Sequence, residues 1–271
     1  GKTTVTHHIP KPQIISTFNN VKIFTSVIVL NQTKPYRNVF VIRVEYMDDE
    51  NPYVVIHRMG KPKKPFNLLI PYMLIGYEED LPIGKFQDNS IDHIYTRRYQ
   101  YDGDNQIDHQ NLKNDCIIGT PILKCRDIPG YNFGRSKDVI SYHFRQLNDN
   151  IQLQCYHYDL QTDLVCNTLL FEVNYAIITK NNPDFIVNSA TANNWTYRSY
   201  NTLPLGQNSR TFTGNRWNVF VHPKPMFASI QYSDPPNHHL FLNIHKKYPI
   251  AKSLKDIPNN LFSPIGYVMI K

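Results

Sequence analysis

Val21–Leu30 reads VKIFTSVIVL, and after Asn31–Asn38 the chain resumes at Val39–Tyr46 with VFVIRVEY. Both runs are rich in β-branched residues and near strand length, and the stretch between them has turn chemistry. They read as two strands. Working outward, Tyr53–Met59 (YVVIHRM) is a third. Phe66–Ile75 is apolar but interrupted by Pro71, which suits an edge strand or a loop. Ile94–Tyr101 (IYTRRYQY) alternates weakly, and Ile117–Cys125 and Leu169–Thr179 (LLFEVNYAIIT) are strand-like. Val139–Leu147 and Ile151–Tyr158 flank Asn148-Asp149-Asn150, a spacing expected of a hairpin. Leu240–Ile244 and Ile265–Ile270 form two final strands. By alternation Leu240, Leu242 and Ile244 are expected on one face of a central strand and Phe241 on the other.

Two stretches read as loops. Asp102–Asp115 is almost entirely Asp, Asn, Gln and His and is expected to be exposed. Asn181–Pro225, rich in Asn, Thr and Ser, reads as a long decorated connection that keeps both tryptophans, Trp195 and Trp217. Exposed loops on a rigid scaffold commonly carry recognition. No internal repeat, heptad or amphipathic helix is found. Eight or so strands with long excursions and Pro-rich turns predict one all-β domain over residues 1–271, an eight-stranded antiparallel jelly-roll sandwich with long surface loops. The scarcity of Ala and Glu, both strong helix formers, agrees.

Lys and Arg number 29 against 22 Asp and Glu, and the net charge of +7 favours contact with phosphate or another anionic surface. No dense basic arm accompanies it. Cys116, Cys125, Cys155 and Cys166 form no C-x-x-C pair and are expected as buried free thiols. No apolar run approaches the roughly 20 residues of a membrane helix, so no membrane insertion is expected. Gly1–Pro12 is polar and does not read as a signal peptide.

Catalytic signatures are missing: there is no G-x-S-x-G, Walker loop, Rossmann fingerprint or H-E-x-x-H, and the expectation is that the chain is not an enzyme. The adjacent pairs His7-His8 and His238-His239 cannot easily chelate one ion within a regular strand, because neighbours point to opposite faces. Asp102, Asp104 and Asp108 offer alternating carboxylates of the kind calcium takes from a flexible loop. The stretch is not an EF-hand, since Ile107 and Lys113 stand where Gly and Glu belong. No cofactor is required; these carboxylates are a solvated loop or a site for a divalent cation such as calcium. Arg97 and Arg98 lie between Tyr95 and Tyr99, and Lys246 and Lys247 lie beside Tyr248. Basic residues beside aromatics can hold a nucleic-acid backbone and stack on its bases, or serve as solvated surface charge. The sequons at Asn31 and Asn194 read as chance.

At the C-terminal end the chain runs Pro223-Lys224-Pro225-Met226-Phe227, then Asp234-Pro235-Pro236-Asn237-His238-His239-Leu240-Phe241-Leu242-Asn243-Ile244, and closes with Ser263-Pro264-Ile265-Gly266-Tyr267-Val268-Met269-Ile270. This resembles the end of a parvovirus capsid protein, especially those of the densoviruses of arthropods, in which a Pro-Pro strand is followed by a short loop and a closing strand. The resemblance implies a jelly-roll coat subunit in a virion, assembled in the host cell nucleus. It implies a homo-oligomeric shell of roughly sixty copies around single-stranded DNA, which meets a host receptor or glycan. The family's phospholipase segment, with its His-Asp pair, is not found, so the resemblance is to the shell-forming part. Two other classes compete: a carbohydrate-binding or adhesion β-sandwich using exposed Trp and Tyr, and a β-rich hydrolase using scattered carboxylates such as Asp92 and Glu172.

Overall fold

The structure, a computed structural model, describes residues 3–13, 15–30, 39–48, 51–59, 67–82, 94–100, 105–107, 115–125, 130–131, 138–147, 150–159, 164–165, 171–179, 185–192, 210–213, 218–222, 226–232, 240–245, 248–253 and 263–270. Every regular element among them is a strand, and the chain is all-β. The strands, numbered β1 to β21 in chain order, form four sheets.

A six-stranded sheet lies at the centre. Its order is β1 (Thr3–His8), β5 (Pro52–Met59), β4 (Val39–Tyr46), β10 (Asp115–Lys124), β14 (Glu172–Thr179) and β8 (Ile94–Gln100). A seven-stranded sheet has the order β13 (Leu164–Val165), β12 (Asn150–Asp159), β11 (Asp138–Leu147), β18 (Met226–Tyr232), β21 (Ser263–Ile270) and β15 (Phe185–Ala192), with β9 (Asn105–Ile107) also paired to β12. One four-stranded sheet contains β16 (Arg210–Thr213), β17 (Asn218–His222), β7 (Tyr72–Gly76) and β2 (Lys22–Thr25). The other contains β20 (Tyr248–Ser253), β19 (Leu240–His245), β3 (Ile28–Val29) and β6 (Leu68–Leu69). The ladders are antiparallel except β4–β10, β11–β18 and β3–β19, so three sheets are mixed.

Strands β4, β5, β10 and β14 of the central sheet are buried on both faces. Side chains alternate across a strand. Phe40, Val44 and Tyr46 of β4, with Val54 and Ile56 of β5, enter one core with Phe18, Ile23, Val29 and Leu74. On the opposite face Ile117 and Leu123 of β10, with Val173, Tyr175 and Ile177 of β14, enter a second core with Ile140, Phe144, Ile151 and Leu153 of the seven-stranded sheet. A strand covered on both faces cannot alternate apolar with polar residues, so it reads as a continuous apolar run. That is why VFVIRVEY and Ile117–Cys125 (IIGTPILKC) read as strands in the sequence.

Two polar residues of the central sheet face the first core and have work there. The Thr25 backbone N–H donates to Thr120 Oγ1 at 3.0 Å, and Asn174 Nδ2 donates to the Ile23 carbonyl at 3.2 Å. Both groups of β2 lie on the edge not paired with β7. An exposed edge is an aggregation hazard, and here side chains from the central sheet cover it.

Expectation and structure differ in places. Val21–Leu30 is not one strand: β2 and β3 belong to different sheets, with the break at Ser26, whose N–H donates to the Pro71 carbonyl at 3.2 Å. Pro71 itself separates β6, at a sheet edge, from β7. Asn105–Ile107, expected within an exposed loop, pairs with Leu153–Ile151 of β12. The connection expected across residues 181–225 holds three strands, of which β15 pairs along its whole length with β21. The hairpin expected around Asn150 is present, with Leu147 opposite Asn150. Leu240–Ile244 falls in β19, which lies inside its sheet between β20 and β3.

Gly119 marks a close approach between the central and seven-stranded sheets. The Tyr142 hydroxyl donates to its carbonyl, and a Cβ built on Gly119 would stand 2.7 Å from the Tyr142 ring. The ring is boxed in by Phe144, edge-on at 5.9 Å. Gly119→Ala is therefore expected to destabilise the fold by about 1–3 kcal/mol through overpacking. Urea denaturation of the two proteins measures it.

Candidate functional site

VFVIRVEY contains two charges, Arg43 and Glu45, two residues apart and hence on one face of β4. That face turns away from the first core toward the seven-stranded sheet. Arg43 is only 1% exposed and Glu45 is fully buried. A guanidinium has five N–H donors and no acceptor, and buried donors need partners. Every one of them is met. Nε donates to Glu45 Oε1 at 2.7 Å, and Nη2 lies 2.5 Å from the same oxygen. Nη2 also donates to the Tyr131 hydroxyl at 3.0 Å. Nη1 donates to the Asp138 carbonyl at 2.7 Å and to His57 Nε2.

The partners are tied in turn. The Tyr131 hydroxyl donates to Glu45 Oε1 at 2.6 Å, and the Cys125 thiol lies 3.5 Å from Glu45 Oε2. Because Arg43 can only donate, His57 Nε2 must accept, which places the imidazole proton on Nδ1. Nδ1 then donates to Thr4 Oγ1 of β1 at 2.9 Å. Burial holds the His57 pKa down, to about 3, with Arg43 adding to the effect and Asp138 opposing it. The ring is therefore neutral at ordinary pH, as the hydrogen bonds require. Burial, followed by the Glu45 carboxylate, pushes the Cys125 thiol up to about 12. It serves as a donor and not as a thiolate nucleophile. Asp138 Oδ1 accepts from His157 Nε2 at 2.8 Å, and His157 Nδ1 is buried with no partner among the described residues.

The cluster joins β1, β4 and β5 of the central sheet to β11 and β12 of the seven-stranded sheet. Its acids and bases are engaged with one another, so its chemistry is that of a polar clamp inside the sandwich. Nothing in the sequence reading singled it out. The available signal was two charges at a two-residue spacing within an apolar run, with His57 in the similar run YVVIHRM.

The residues expected to bind ligands lie elsewhere. Arg97 and Arg98 sit on β8, an edge strand of the central sheet, opposite Tyr175 and Asn174 of β14. Asp102, Asp104 and Asp108 lie outside the described residues, as do Lys246 and Lys247, Trp195, Trp217, Asp92 and Cys166. Of the residues expected to hold a cation or nucleic acid, Arg97 and Arg98 are the ones among the described residues. Among the described residues no group of three or more His, Cys, Asp or Glu side chains is placed to hold a metal ion. Cys116, Cys125 and Cys155 are buried thiols that form no disulfide among the described residues. Glu172 pairs with Lys124, 3.2 Å from its Nζ.

Residues 7–251 match the model of the DUF7431 family, described as a domain of unknown function. The chain belongs to that family. No curated protein and no solved structure matches it. The match runs from within β1 to within β20 and so takes in every residue of the clamp except Thr4.

Two outcomes test the clamp. Arg43→Met removes the guanidinium that pairs with the buried Glu45 carboxylate and is expected to cost about 3–5 kcal/mol in urea denaturation. Replacing both Arg43 and Glu45 by Met is expected to cost less than the single change, since no buried charge is then left unpaired. For pH the sign follows from His57. Its folded pKa, about 3, lies below the ordinary 6.5, so the unfolded chain takes the proton first. The clamp's contribution is complete above about pH 6.5 and is lost as pH falls from there toward 3. The stability gap between the parent and His57→Gln is expected to narrow between pH 7 and 5; a constant gap would rule out a neutral buried His57.

Proposed function

We propose that the chain is the shell-forming subunit of a small icosahedral virus, a coat protein of the kind it resembles in the parvoviruses and arthropod densoviruses. In this reading roughly sixty copies assemble around single-stranded DNA, and the outer surface meets a host receptor or glycan. The subunit works by binding and assembly and not by catalysis. It acts in the virion after assembly in the host cell nucleus, and no membrane insertion is involved.

The observation that carries the reading is the C-terminal segment bearing the resemblance. After the Pro-Pro pair comes β19, and the chain closes with β21, in the interior of the seven-stranded sheet between β18 and β15. A short strand, β20, stands between them and pairs with β19 from Leu240 opposite Ser253 to His245 opposite Tyr248. The finer expectation, an eight-stranded antiparallel jelly roll, belongs to this reading. Long antiparallel ladders such as β11–β12, β10–β14 and β4–β5 would form the roll, and short strands such as β9, β13 and β16 would be loop decoration.

Packaged DNA would be held by charge summed over many subunits, each neutralised phosphate adding a salt-dependent increment. Arg97, Arg98, Lys246 and Lys247 are the residues assigned to it, and Asp102, Asp104 and Asp108 are assigned to a divalent cation such as calcium at a subunit junction. The purified chain is expected to give closed particles by electron microscopy and light scattering. Those particles are expected to retain single-stranded DNA at low salt and release it as salt rises. Lys246→Ala combined with Lys247→Ala is expected to release it at lower salt. A chain that stays small and binds immobilised glycans would replace this reading with a carbohydrate-binding module.

A further inference from the structure

We propose that β1 is a self-pairing edge, through which two copies of the chain join their central sheets into one continuous sheet. β1 ends the order of the central sheet, with β5 on its inner side. The sequence of the strand, TTVTHH, holds none of the devices that blunt an edge: no Pro, no Lys and no acidic residue. Val5 is 52% exposed, and Thr6, His7 and His8 are exposed beside it.

The direction of the backbone groups follows from the ladder. β1 runs antiparallel to β5 with Val5 opposite Ile56 and His8 opposite Tyr53. One step further, the Ile9 N–H donates to the Pro52 carbonyl at 3.0 Å, which makes that pair a hydrogen-bonded one. Hydrogen-bonded and non-bonded pairs alternate along an antiparallel ladder. Ile9 therefore gives its N–H to β5, and His7 and Val5 exchange bonds with it, while His8, Thr6 and Thr4 aim their N–H and C=O groups at the open edge. Non-bonded pairs bring side chains closer. The contacts agree: the His8 and Tyr53 rings meet at 5.0 Å, and Thr4 Oγ1 meets the His57 ring.

This pattern is self-complementary. A two-fold axis perpendicular to the sheet keeps each face on its own side and sets Thr6 opposite Thr6 of a second copy. Thr4 then pairs with His8 and His8 with Thr4. All the outward N–H and C=O groups of Thr4, Thr6 and His8 are satisfied on both copies at once. Val5 comes to lie across from His7 of the second copy. Burial, followed by His8, lowers the His7 pKa, so this junction is uncharged near neutral pH. Shifting the register by two residues would leave the outward groups of His8, or in the other direction those of Thr4, without partners on the strand, so the Thr6-centred register is the one assigned.

The proposal deepens the assembly reading by naming one subunit contact, yet it stands or falls separately. Two variants of the full chain test it by light scattering across a concentration series. Thr6→Pro deletes an N–H that points outward and is not used by β5, so the fold is expected to survive. Val5→Lys places a charge on the edge without touching the core. Below the concentration at which particles close, the parent is expected to have twice the chain mass, and both variants the single mass, with unchanged circular dichroism and melting. Should Thr6→Pro fail to fold, Val5→Lys carries the test alone. A parent that is monomeric at every concentration, or variants that remain dimeric, would overturn the proposal. Particles that persist in both variants would overturn it while leaving the shell reading intact. Parent dimers that never form particles would uphold it while removing the shell reading.

Discussion

A buried guanidinium is the constraint around which the rest of this structure is arranged. Arg43 lies in the middle of a six-stranded sheet covered on both faces, where no water is at hand to satisfy its donors. An ion of that size costs several kcal/mol to desolvate, and the loss is offset only where geometry and supporting hydrogen bonds are good. The protein meets the condition with groups from four separate stretches: Glu45, His57, Tyr131 and the Asp138 carbonyl. These come from both layers of the sandwich. The two sheets therefore cannot slide or rotate past each other without breaking a charged hydrogen bond in a low-dielectric interior, where such breaks are expensive. Apolar packing alone tolerates many arrangements of about the right volume; the clamp selects one register.

The same constraint decides protonation. His57 must accept from Arg43, so it must be neutral, and burial with the adjacent cation keeps it so. Cys125 must donate toward Glu45, and the carboxylate keeps the thiol protonated. Perturbed groups of this kind often mark active sites, but structural networks perturb pKa values as well. Here burial is the first cause of each shift, with Arg43 adding to it at His57 and Glu45 at Cys125, and the direction of each agrees with the hydrogen bonds that hold the sheets together.

How much of this was legible in the sequence follows from which physical signal each part left behind. Strands covered on both faces leave continuous apolar runs, and β4, β5, β10 and β14 were readable from them. The hairpin of β11 and β12 left the Asn-Asp-Asn turn between its arms. Strands such as β15, FIVNSATA, leave neither signal, because the apolar run stops after Val187, the rest is small or polar, and the pairing is with β21, about eighty residues on. Val21–Leu30 misled for a different reason. Local propensity records that a residue favours extended backbone, but not that the chain changes sheets at Ser26. The clamp was hidden in the same way: Arg43 and Glu45 are adjacent on one face by simple alternation, yet Tyr131 and Asp138 reach them from about ninety residues away. Of the ligand-binding residues proposed, Arg97 and Arg98 rest on an edge strand, where sequence gives type and order but no placement.

The clamp also bears on how the molecule presents itself to others. Thr4 is bonded to the buried His57, so the edge strand β1 is anchored to the core by a side chain as well as by its ladder with β5. Strands at the ends of sheets commonly fray, and a frayed strand must give up conformational freedom before it can pair. An edge already held extended pays less for that ordering when a partner strand arrives. The interior polar network and the exposed edge are in this sense one construction: the bond that completes the partners of His57 is made by the same strand whose remaining backbone groups face outward.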